Sequence, residues 1–150
     1  MPNRSTHVRV AVPLGVGLAV HKARSQNGLG LFLEGAGGAF GGMAGGLLPD
    51  LLDPPNSSWH RSTAHSALPV AIAGAFWNAN LDAWQMQLRL LADHHHGARN
   101  QTTDALAVCW HAFVEWVLRF LAGSLAGLGA GYLSHVALDL QTPRCVPLIS

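Results

Sequence analysis

Apolar and small residues run along most of this chain with few polar interruptions, and their spacing is helical. Long Ala/Leu/Gly segments dominate, and no alternating β-branched run of strand length appears. The pattern predicts a first helix over about Thr6 to Ala23, ended by the Ser25-Gln26-Asn27-Gly28 cluster. A second, glycine-rich helix is expected over roughly Leu29 to Leu48, stopping near Pro49. Asp53-Pro54-Pro55-Asn56 reads as a loop, because proline lacks the amide hydrogen a helix needs and restricts the residue before it. Ser57 or Ser58 can cap a further helix running through His65 to about Trp77. Leu81, Trp84, Leu88 and Leu91 then share one side of a short amphipathic helix, and "HHHGARNQTT" reads as a polar loop. Thr103 or Asp104 can cap a long last helix that ends near Leu140. The expected fold is all-α, a compact bundle of about five helices forming one domain over residues 1–150.

The glycines sharpen that picture. Each costs about 1 kcal/mol relative to alanine inside a helix, so their number needs a compensating role. Gly37, Gly41 and Gly45 fall four apart, as do Gly38, Gly42 and Gly46, and again Gly123, Gly127 and Gly131. Small residues at that spacing let helix backbones approach closely, as in tightly packed or membrane-embedded bundles. Pattern alone leaves open whether these faces meet within one chain or between chains of a homo-oligomer. A phosphate-cradling loop is not indicated, since GxxxxGK[ST] is absent and Phe40 stands where a dinucleotide fingerprint needs its third glycine.

Composition moves the expectation toward a membrane. Charged residues are 11% of the chain, against about 25% in an ordinary soluble domain. Apolar residues are 49% and the mean hydropathy is +0.24. Nine Lys+Arg against eight Asp+Glu give no basic footprint for nucleic acid. The N-terminal apolar run, Val10 to Val20, contains Pro13, is shorter than a membrane span and lacks a small-x-small cleavage site. No cleavable signal peptide is expected, and the setting is membrane-associated or cytoplasmic. The uncharged stretches Gly35 to Pro49 and Phe120 to Leu133 each fall short of about 18 residues. Cys109 and Cys145 form no CxxC pair, so neither a disulfide framework nor a thiolate zinc finger is indicated.

Candidate chemistry lies in two places. The last glycine series continues at the same spacing into His135 and Asp139, one turn apart on one helix face. An imidazole and a carboxylate so placed can meet one divalent ion, and can equally form a buried hydrogen-bonded pair. The second place is "LLPDLLDPPNSSWHRSTAHS", where Asp50 and Asp53 precede His60 and His65 across a proline turn. Five residues apart on a regular helix, the two histidines would point about 140° apart, so they converge only with His60 in the loop or cap. Imidazole with carboxylate suits zinc, manganese or iron better than calcium or magnesium. His7 adds a seventh candidate, more than one tetrahedral zinc needs, and two ions sharing a carboxylate would absorb the surplus.

The motifs "GGLLPDLLDPP", "HRSTAHS" and "GYLSHVALDLQTPRCVPL", with Thr6-His7 ahead of them, resemble those of the YdjM-like membrane-bound metal-dependent hydrolase family. That family is also described as LexA-binding and inner-membrane-associated, and it is distantly similar to the all-α zinc-dependent phospholipase C group. The resemblance covers Thr6 through Leu148 discontinuously. It implies His7, Asp50, His60, His65, His135 and Asp139 as metal ligands, with Asp53 a ligand or a neighbouring carboxylate. The chain departs from the family at "PDLLDPP", where the second Asp stands one position later, and at Cys145, where the family has glycine. The resulting expectation is a metal-dependent hydrolase holding one or two divalent transition metal ions, expected to be zinc. A bound water would attack a small-molecule or lipid phosphoester, with Asp53 as the catalytic base. The rival expectation is a non-catalytic membrane- or partner-associated helical protein with a structural His/Asp metal site.

Other polar residues are expected to be structural. His94-His95-His96 reads as a run that is solvated or prone to pick up metal in a crystal. Glu115 and Arg119 form an i,i+4 pair in line with His111. Arg61 can hold a phosphate or orient Asp50. Ser62, Thr63 and Ser66 show no Ser-His-Asp arrangement.

Overall fold

Several ionisable residues of this chain, Glu34, Glu115, Arg119, His135 and Asp139 among them, turn inward, and many of its large apolar ones turn outward. A computed structural model describes residues 4–26, 28–52 and 67–140. Within them lie four helices: α1 (Arg4–Lys22), α2 (Gly28–Leu52), α3 (Ala67–Gln101) and α4 (Ala105–Leu140). The all-α bundle is as expected, with four helices instead of about five. Three predicted breaks are absent, and the one expected between about Trp77 and Leu81 accounts for the lower count, since α3 is continuous there and joins two expected helices into one. "HHHGARNQ" continues α3 as helix, because His95, His96 and Arg99 find partners on α4 that reward the helical conformation. α2 runs on to Leu52 past Pro49, which is fully buried; the single backbone bond its ring removes is outweighed by packing. The Pro-Pro-Asn-Ser-Ser turn lies outside the described residues, and with it Asp53, His60, Arg61 and His65.

α4 is the hub. It packs against α1, α2 and α3, and α1 also packs on α2. Contacts between glycines fix the directions: Gly123 meets Glu34, Gly127 meets Gly38 and Gly131 meets Gly42, so α2 and α4 run parallel in register. α1 runs antiparallel to both, with Gly15 against Gly38 and Gly42. α3 returns antiparallel to α4 across the turn at 102–104, bringing Asp93 to Arg119 and His96 to Glu115.

The seam is assembled from residues four apart. On α4 the buried stripe is Glu115, Arg119, Gly123, Gly127, Gly131, His135 and Asp139. On α2 the stripe from Glu34 passes through Gly38, Gly42 and Gly46 to Asp50. On α1 it is His7, Ala11, Gly15 and Ala19. A Cβ added at Gly41 would land on the Ser124 carbonyl oxygen, and one at Gly127 on that of Gly38. Glycine is required there by close approach of backbones. Each stripe of α2 and α4 therefore places glycines in the middle and ionisable residues at both ends.

Leu81 is buried against α4 as the amphipathic pattern requires, and Leu88 is partly covered, but Trp84 and Leu91 are exposed. The buried side of that segment instead carries Gln85 and Ala92, with Arg89 partly covered between them. On α4, Glu115 and Arg119 are buried while Leu106, Trp110, Phe113, Trp116 and Leu121 are exposed. Polar inside and apolar outside is the arrangement of a chain whose solvent is lipid. Gly28–Leu51 and Ala105–Asp139 are each long and apolar enough to cross a membrane. The charges of α4 do not spoil its span, since Glu115 and Arg119 are paired inside.

Candidate metal centre

The parallel register of α2 and α4, with α1 running back between their ends, brings four of the seven candidate ligands to one end of the seam. His7 comes from the first turn of α1, Asp50 from the last turn of α2, and His135 and Asp139 from the last turns of α4. His135 and Asp139 are fully buried or nearly so, as is His7. The glycine at position 131 lets α4 come close to the α2 backbone at Gly42 and Gly46, and His135 Nδ1–H donates to the Gly46 carbonyl oxygen at 2.6 Å. That bond fixes the tautomer and turns Nε2 inward, the usual way a ligating histidine is oriented.

His135 Nε2 lies 3.6 Å from Asp50 Oδ1 and 3.5 Å from Asp139 Oδ2. His7 Nε2 lies 3.6 Å from Asp139 Oδ1. The two imidazoles stack, with centroids 3.8 Å apart and planes 16° apart. These separations exceed an ordinary hydrogen bond of about 2.7–3.2 Å. They are close to the roughly 3.3–3.4 Å that separates two donors sharing one tetrahedral ion at bond lengths near 2.0–2.1 Å. One donor atom each from His7, His135 and Asp139 falls within 4.8 Å of the others. Two imidazoles with carboxylates form a donor set suited to zinc and its neighbours, so the residues present fit such an ion. Asp53, His60 and His65 belong to residues that are not described, and their part in the centre is not fixed by this geometry.

A second polar layer occupies the other end of the seam. Arg89 clamps Glu34 with both nitrogens of its fork, Nε at 3.0 Å from each oxygen and one terminal nitrogen at 2.5 Å. Arg119 donates to Glu115, Asp93 and Gln26, and Arg99 pairs with Glu115. His96 reaches Glu115 at 3.1 Å, and His95 meets His111 with 2.9 Å between their Nδ1 atoms. Partial burial, and then the neighbouring His111 and His94, hold the His95 imidazole below its usual pKa, with Glu115 pulling the other way. Glu115–Arg119 is the structural ion pair expected from its spacing. The histidine run is not the solvated loop expected, since His95 and His96 face α4. The role of Glu34 was hidden because a lone Glu gives no signal; its spacing to Gly38 was the clue.

No curated protein and no solved structure is detectably similar to this chain. A family model does match, described as YdjM inner membrane protein, and it extends over residues 1–150. With a polar-cored, apolar-coated bundle to go with that match, the chain belongs to the YdjM inner membrane protein family and is associated with the inner membrane.

Proposed function

We propose that the protein is a metal-dependent hydrolase of the inner membrane that acts on a phosphoester. The observation that carries this reading is the convergence of His7, His135 and Asp139, with Asp50 beside them, at donor-to-donor spacings of 3.5–3.6 Å. His7, Asp50, His135 and Asp139 would hold the metal, and a bound divalent ion supplies a water acidified to near-neutral pKa and polarises the phosphoryl oxygen. Asp139 offers Oδ1 to His7 and Oδ2 to His135, an arrangement in which one carboxylate can serve one ion or two. The Gly46 carbonyl keeps His135 in its ligating tautomer. Asp53, three residues after Asp50 in sequence, is the general base of this reading, and His60 and His65 complete its donor set. The apolar coat directs the reading toward a lipid-derived substrate.

The test is metal analysis of the full-length protein purified in detergent without chelator, together with hydrolysis of a chromogenic phosphodiester. Wild type should carry close to stoichiometric transition metal and lose it in His135→Ala and Asp139→Asn. Asp53→Asn should keep the metal and lose turnover. A metal-free wild type would overturn the reading. Metal retained without any hydrolysis would favour a structural site, a reading supported by the way these side chains staple α1, α2 and α4 together.

A further inference from the structure

The second polar layer contains a histidine pair that the centre above does not use. His94, His95 and His96 lie on α3 five to seven residues from its end, and His111 lies on α4 across the 102–104 turn. His95 Nδ1 faces His111 Nδ1 at 2.9 Å, with ring centroids 5.1 Å apart. The His94 ring stands edge-on to His95 at 5.7 Å. His94 is exposed and the pair is half-buried, so the site is reached from outside the bundle.

We propose that His95 and His111 form a second, peripheral binding site for a divalent transition metal ion, clamping the α3–α4 hairpin near its turn. Two imidazoles bound at right angles to one ion at about 2.1 Å place their nitrogens about 3.0 Å apart, which the observed pair already meets. Right-angle positions with nitrogen donors suit Ni(II) or Cu(II), whereas the 3.5–3.6 Å spacings at the other end suit a tetrahedral ion. His96 and Glu115 bond to each other and to the arginines, which leaves the ion to His95 and His111. The same 2.9 Å is also the length of a simple N–H···N hydrogen bond, and the experiment separates the two.

Untagged, metal-stripped full-length protein in detergent micelles is titrated calorimetrically with Ni2+. One equivalent should bind in a step that weakens roughly tenfold or more in His95→Ala and in His111→Ala, the loss of one of two anchoring donors. That step should survive in His135→Ala, which separates this site from the centre at the other end. Carbethoxylation of wild type, read by mass spectrometry, gives a check independent of any variant: Ni2+ should protect His95 and His111. If the step persists undiminished in both variants, or if Ni2+ leaves both histidines open to carbethoxylation, the pair is a hydrogen bond and the proposal falls.

Discussion

At the scale of single residues, buried charge decides most of what this protein tolerates. Glu34 is fully buried and answered by Arg89, whose side chain is 18% exposed. Removing one partner of such a pair leaves a charge without compensation and costs about 3–5 kcal/mol, whereas replacing both with apolar groups is often neutral. Arg89→Met should therefore lower the thermal stability of the detergent-solubilised protein sharply, and Glu34→Gln added to it should restore part of the loss. A double variant no more stable than the single would show that the pair is not what holds α2 to α3. His135 depends on a neighbour in a different way. Its Nε2 points inward because Nδ1–H is held by a backbone carbonyl, so no side-chain substitution at position 46 removes that acceptor. A side chain at 46 would instead push α1, and His7 with it, away from α2, since a Cβ there meets the Ala11 side chain at 2.6 Å.

At the scale of elements, glycines divide into those that touch backbone and those that touch nothing. Gly41→Ala and Gly127→Ala put a methyl group onto a carbonyl oxygen of the facing helix and should destabilise by about 1–3 kcal/mol. Gly17 and Gly97 lie in helices with open space around them, so alanine there should be neutral or stabilise by up to about 1 kcal/mol. Thermal melts of the four variants check both directions. Much of this was legible in sequence. The four-residue spacing of Gly123, Gly127 and Gly131 running into His135 and Asp139 announced both the seam and two members of the buried His/Asp cluster at its end. What spacing could not convey was which stretches fail to break a helix. Gly97 and the histidine run signal a loop by local propensity, but propensity is a weak prior when His95, His96 and Arg99 gain partners on α4. Nor could amphipathicity be read with its usual sign, because Trp84 and Leu91 point outward and Gln85 inward.

At the scale of the whole molecule, the distribution of polarity is that of an inner-membrane protein. Asp50 and Glu34 are sixteen residues apart on α2, and His135 and Arg119 sixteen apart on α4, so the two polar layers lie about 24 Å from each other along the seam. That approaches the roughly 30 Å of a bilayer's hydrocarbon core, with the glycine-packed segment between. The protein should remain in the membrane pellet through high-salt and alkaline carbonate washes and be released only by detergent. Release by carbonate would mean that the exposed apolar faces rest on the bilayer surface.

The matched four-residue stripes also govern which changes of length the fold can inherit. Deleting one residue between Arg119 and His135, such as Leu128, rotates everything beyond it by about 100° and draws it back about 1.5 Å. His135 would then leave the face it shares with Arg119, so the helix would lose its His/Asp cluster with His7 and Asp50, or keep it and lose the far ion pairs. Shortening is tolerated only by whole turns taken from α1, α2 and α4 together. Side chains that face lipid are free to vary, but the lengths of the three seam helices are bound to one another.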